Sequence, residues 1–274
     1  MAQTHYTVRK LPWGSESIVR WATEPVGRAV VFVHGFGGEA LGTWDQFATL
    51  LPLQPQAAGR DLFFYGYDSL VAQAPVSAAE LRDFLQTLWT DPVAGVILPS
   101  VQDARRADPA FRYNHVTLVA HSLGAVVVRE ALVQAAMDTP PAPWLKDVSL
   151  VLFAPAHTGA AILDLANEAL GAMPARFGAA AAAGAKAYAQ VLRDLERGSD
   201  MLEKLKEDSD DLLGRGYDSL RAKVVVLGQK DRIVQAVRFC KDPGPTIVAD
   251  KGHIGVCKPD AGYPAPLGYL LPHI

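Results

Sequence analysis

The stretch Thr117-Leu118-Val119-Ala120-His121-Ser122-Leu123-Gly124-Ala125-Val126-Val127-Val128 sets two apolar runs back to back. The first stops abruptly at Ser122, and a helix-compatible run begins directly after it. A strand, a sharp turn and a helix read this way. Apolar, β-branched runs recur at 29–33, 61–66, 116–121, 148–153, 222–227 and 246–249, with helical patterns at 78–89 and 123–137 among others. Strands alternating with helices predict an α/β fold, with a mainly parallel central sheet flanked by helices. Ser77, followed three residues later by Glu80, predicts a capping box at a helix start. With 274 residues, half of them apolar, the chain can bury a large core as one such domain with an insertion.

Ala120-His121-Ser122-Leu123-Gly124 is a G-x-S-x-G pattern with alanine, the next smallest residue, at its first glycine. Small residues are needed there because strand and helix approach closely, and the turn holds the serine hydroxyl exposed as a nucleophile. Five residues with one mismatch also arise by chance, so a second motif carries weight. Ala29-Val30-Val31-Phe32-Val33 reads as a buried parallel strand. It runs into His34-Gly35-Phe36-Gly37-Gly38. Acyl transfer builds negative charge on a carbonyl oxygen, and losing one backbone N–H aimed at it costs about 3 kcal/mol. A loop carrying Gly35, Gly37 and Gly38 lets main chain approach a substrate. The predicted oxyanion donors are the N–H groups of Phe36 and Leu123. A glycine-rich strand-to-helix turn is common in α/β proteins, and only its combination with the Ser122 turn favours catalysis.

Together these motifs, with Thr43-Trp44 after the glycine loop and a late Gly252-His253-Ile254-Gly255, resemble the α/β-hydrolase superfamily of lipase, esterase and thioesterase type. Within it the chain is most similar to predicted serine esterases with an H-G-[FL]-G-G…T-W start and a late H-I…K-P end, here His253-Ile254 and Lys258-Pro259. The resemblance spans about 28 to 259 and implies a Ser-acid-His triad in that chain order.

Ser122 needs a base, and the base needs an acid to fix its tautomer. Of the seven histidines, His5 and His273 lie near the termini, His34 in the glycine loop, His115 before the Ser122 strand, and His157 ahead of any suitable acid. His253, in a late loop after the strand at 246–249, is the predicted base. Asp231 follows the strand at 222–227 and is the predicted acid, because ligands in open α/β sheets bind outside the carboxyl ends of strands. It also matches a G-x-x-D position of the resembled family. A helix N-cap is the alternative role for Asp231, and Asp250 is the alternative acid. Candidate substrate-contact residues are Gly35, Gly37, Trp44 and His121. Trp44 reads equally as core. His121 is expected to point away from its neighbour Ser122, as adjacent strand residues do.

The segment 160–215 is the largest departure from alternation and predicts a helical cap or lid between core segments 1–159 and 216–274. It holds the alanine-rich stretch 178–185, then Val191, Leu192, Leu195, Met201, Leu202, Leu205, Leu212 and Leu213 among charged residues, with a break near Gly198 and Ser199. Packing of these helices on the sheet is the alternative. The net charge of −3, with signs interspersed, predicts no nucleic-acid groove and no polybasic membrane patch. Cys240 and Cys257 show no metal spacing; free thiols and a late-loop disulfide are both compatible with their positions. No membrane span and no signal peptide are evident, so a cytoplasmic enzyme is expected.

The expected activity is hydrolysis of a carboxylic ester or thioester, on a small or lipid-like acyl substrate, with no metal or organic cofactor. Acyl transfer or amide cleavage on the same residues, and a non-catalytic binding protein, are the rivals. A dinucleotide fingerprint, in which Ala40 would stand at a tolerated third-glycine position, is disfavoured because no acidic ribose partner ends the next strand cleanly, Asp68 being the nearest, and the Ser122 turn would be unexplained.

Overall fold

The computed structural model describes residues 5–9, 11, 13–97, 108–172 and 186–274. Eight strands build one sheet: β1 (His5–Arg9), β2 (Ile18–Ala22), β3 (Arg28–Val33), β4 (Asp61–Tyr65), β5 (His115–His121), β6 (Val148–Phe153), β7 (Val224–Gly228) and β8 (Thr246–Val248). Their order is β1-β2-β4-β3-β5-β6-β7-β8. β1 and β2 pair antiparallel with their neighbours, and the remaining contacts are parallel. The parallel strands are apolar because helices cover both faces. Every residue of β4 and β6, and all of β3 after Arg28, is buried. Each large side chain withdrawn from water in this way contributes roughly 1.5–3 kcal/mol.

Register decides where the chemistry can sit. Val33 pairs with Ala120, and His121 with Phe153. The loops after β3, β5 and β6 therefore leave the sheet side by side at its carboxyl edge.

Helix α1 (Ala74–Thr90) buries Ala74, Ser77, Ala78, Leu81, Phe84, Leu85 and Leu88, one apolar stripe at helical spacing. It starts four residues before the sequence-based boundary. Pro75 occupies its first turn, where a missing N–H costs nothing. Ser77 is thus a buried interior residue, not a cap, and its Oγ has no hydrogen-bond partner among the described residues. Helix α2 (Leu123–Met137) is buried around most of its surface, packed between the sheet, α1 and the later helix at Asp200–Gly214.

The segment 160–215 divides in two. Helix α3 (Ile162–Ala172) and the helical stretch 186–194 lie toward the loops at the carboxyl edge. Helix α4 (Asp200–Gly214) instead packs on α2, burying Leu202, Leu205, Leu212 and Leu213. This second half behaves as a sheet-flanking helix, the alternative weighed for it. Its start follows the predicted break: Gly198 has φ +75°, and the Ser199 hydroxyl caps α4 by accepting from Leu202 N at 3.4 Å. The alanine-rich stretch 178–185 lies outside the described residues. Among the described residues no helix is long and apolar enough to cross a membrane, and Cys240 and Cys257 are free thiols.

Candidate active site

Ser122 joins β5 to α2 with φ 52° and ψ −122°. A non-glycine residue in this region costs on the order of 1–3 kcal/mol and persists only where its surroundings enforce it. Here the enforcement is visible. Ser122 N donates to Phe153 O at 3.1 Å, and Ala156 N donates to Ser122 O at 3.2 Å. The turn has no room for larger neighbours. A Cβ on Gly124 would stand 2.3 Å from Val33 O and 2.4 Å from His34 O, and one on Gly35 would meet Ser122 Cβ at 2.7 Å.

From this turn a line of hydrogen bonds runs across the sheet edge. His253 Nε2 lies 2.9 Å from Ser122 Oγ, and His253 Nδ1 lies 2.9 Å from Asp231 Oδ2. An ionised carboxylate only accepts, so Nδ1 carries the proton and Nε2 is free to accept from the serine hydroxyl. Asp231 Oδ1 accepts from Ile233 N at 2.8 Å and Val234 N at 3.1 Å. Burial pushes the Asp231 carboxyl up, but the hydrogen bond and charge of His253, with the two backbone donors, outweigh it and leave the carboxyl below its ordinary value. No helix begins between Asp231 and β8. The local bonding expected of an N-cap is made, but it shapes a loop. Asp250, the alternative acid, is exposed and paired with Lys230 at 2.8 Å.

Ser122 and His253 open on a cavity of about 360 Å³ whose walls include Gly35, Phe36, Gly37, His121, Leu165, Glu168, Ala169, Ile254 and Lys258. Leu123 is the first residue of α2, so its N–H has no intrahelical acceptor. Phe36 is held from above by Tyr188 of the 186–194 stretch, ring centroids 5.6 Å apart. His34 braces the same loop from below: its ring stacks on Tyr67 at 4.5 Å, and the Tyr67 hydroxyl donates to His34 O at 2.9 Å. Gly37 has φ +66°, and a Cβ there would meet Ala169 Cβ at 2.8 Å. Helix α3 therefore rests on the glycine loop.

Of the other nominated residues, His121 reaches the cavity wall despite the expectation that it points away from Ser122. Trp44 does not line the cavity. It is fully buried in the core against Phe32 and Phe47. Glu168 was passed over in the sequence. Burial pushes its carboxyl up, and the nearby His253 opposes this. The signal was its place at one helical face with Leu165 and Ala169.

The profile described as "Alpha/beta hydrolase family" matches residues 30–261. No curated protein sequence matches. Among solved structures the chain is similar to the mature lipase BlEst2 of Bacillus licheniformis, with TM-score 0.54 and 15% identity over 97% of each chain. It is similar to the carboxylesterase CesB of Bacillus subtilis, with TM-score 0.51 and 14% identity over 100% of this chain and 93% of that one. It also resembles the peroxisomal alpha-beta-hydrolase Lpx1 of Saccharomyces cerevisiae, with TM-score 0.54 and 12% identity over 98% and 89%. At such identities the likeness is one of fold.

Proposed function

Because the chain belongs to the alpha/beta hydrolase family, we propose that it is a serine hydrolase that cleaves a carboxylic ester or thioester through Ser122, His253 and Asp231. The observation that carries this reading is the continuous hydrogen bonding from Ser122 Oγ through His253 to Asp231, beside a glycine loop and a cavity. Ser122 attacks the acyl carbonyl while His253 takes its proton. Asp231 holds the imidazole in the required tautomer and balances the imidazolium. The Phe36 and Leu123 N–H groups receive the developing oxyanion. His253 then protonates the leaving group, and an acyl-enzyme remains. Water, deprotonated by the same histidine, releases the acid and restores Ser122. Protein groups and water complete this chemistry.

Phe36, Leu165, Ala169 and Ile254 would contact the acyl chain, with Gly35 and Gly37 giving the main chain access. In this reading the cap comprises α3 and 186–194, set between core segments 1–159 and 216–274, while α4 joins the core. The free thiols of Cys240 and Cys257 suit a reducing compartment, and we place the enzyme in the cytoplasm.

Labelling with a fluorophosphonate probe tests the assignment. Wild type should label and Ser122→Ala should not, with hydrolysis of p-nitrophenyl esters lost in parallel. Labelling that survives in Ser122→Ala places the nucleophile elsewhere.

A further inference from the structure

We infer that His121 is a positioning residue, whose imidazole holds the main chain of His253 against the strand that carries Ser122. The inference rests on the proposed function and adds to it a role for a residue outside the triad.

His121 Nε2 lies 3.0 Å from His253 O. A carbonyl only accepts, so Nε2 must carry the proton. The two rings lie 4.9 Å apart between centroids, inclined at 52°. His121 is 5% exposed and His253 4%. Burial, and then the neighbouring His253, push the His121 imidazole down to about 3. Asp231, which opposes this, and Lys258, which adds to it, are the other charged groups facing the ring. The ring is therefore neutral, and a neutral ring with Nε2–H has a bare acceptor at Nδ1. That Nδ1 is buried with no hydrogen-bond partner among the described residues.

An unsatisfied buried acceptor is destabilising, and an apolar side chain at 121 would avoid it. The return is geometric. His253 sits in an irregular loop after β8, far from Ser122 in sequence. Its side chain is tied to Asp231, but that bond alone permits the imidazole to swing about the carboxylate. The His121 bond ties the main chain of the same residue to the position next to Ser122. Base and nucleophile are thereby referenced to one rigid element, β5 and its turn.

The test compares His121→Phe with His121→Gln, the second able to donate again to the carbonyl. Readouts are kcat and KM on a short-chain p-nitrophenyl ester, and the thermal midpoint. His121→Phe should lower kcat by roughly 10- to 100-fold, the scale of a small misplacement of reacting groups. KM should stay within about twofold and the midpoint unchanged or raised; His121→Gln should recover part of kcat. Unchanged kcat in His121→Phe, or no recovery in a folded His121→Gln, overturns the inference. Should His121→Phe not fold, His121→Leu against His121→Gln decides in the same way. Wild-type protein that neither labels with fluorophosphonate nor turns over ester would instead overturn the serine-hydrolase reading.

Discussion

Asp231 and Asp242 stand near opposite ends of the loop joining β7 to β8, and each divides its carboxylate in the same manner. Asp231 gives Oδ1 to two backbone N–H groups and Oδ2 to His253. Asp242 gives Oδ1 to Ala222 N at 2.8 Å and Oδ2 to Arg129 at 2.6 Å. Both lead to the same unit: His253 contacts Ser122 at the start of α2, and Arg129 lies two turns along that helix. Arg129 is fully buried, donates also to Leu220 O, and stacks on Phe239 with its guanidinium 4.7 Å from the ring centroid. A guanidinium stays charged in proteins, whereas an imidazole changes charge near neutrality. In the proposed mechanism, one carboxylate arrangement thus serves as a fastening at Arg129 and as part of the reaction site at His253.

Changing each carboxylate in turn separates the two uses. Asp231→Asn should lower kcat on a p-nitrophenyl ester by about 10⁴-fold, because the amide no longer favours the required tautomer, with little change in urea midpoint. A drop below tenfold would take Asp231 out of the mechanism. Asp242→Asn should do the reverse. Removing one member of a buried pair costs about 3–5 kcal/mol, read by urea unfolding, while kcat per folded molecule stays within about twofold. Equal loss of activity and stability in both variants would dissolve the distinction.

The smallest effect concerns the histidine attached to each region. His157, tilted against Phe239 with ring centroids 4.1 Å apart, is pushed well below its ordinary value by burial and then by Arg129. His121 is pushed down to about 3. For both, the unfolded chain binds a proton as pH falls below the ordinary histidine value of 6.5 and the folded chain does not. Stability is therefore full above that value and declines as pH drops beneath it, by about 1 kcal/mol per pH unit per histidine. His157→Gln should flatten unfolding stability between pH 6 and pH 5 by that amount. An unchanged slope would mean that His157 is protonated in the fold.

The Ser122 turn was legible because its demands are local: an apolar strand, small residues at 120 and 124, and a helix start leave marks within a dozen positions. His253 and Asp231 were legible through chain order and their place after late strands, and the structure brings them to Ser122. β1 and β2 were missed because strands of five residues carry little periodicity. The start of α1 was misplaced because Ser77 and Glu80 imitate a cap that Pro75 makes unnecessary. Arg129 was illegible in an apolar helix with its partner 113 positions away. The His121 link ends on a backbone carbonyl, an acceptor that every residue has, so no side-chain pattern announces it. Trp44 went to the core because Phe32 and Phe47 offer it aromatic faces.

Between the two anchored carboxylates, Gln235, Ala236, Val237 and Arg238 are exposed, flanked by buried Ile233 and Val234 on one side and buried Phe239 on the other. A chain clamped at both feet transmits little of what happens at its crown. For the protein engineer this is a splice point: an epitope, a dye-bearing loop or a small fused domain inserted there would ride beside the candidate active site without levering it apart.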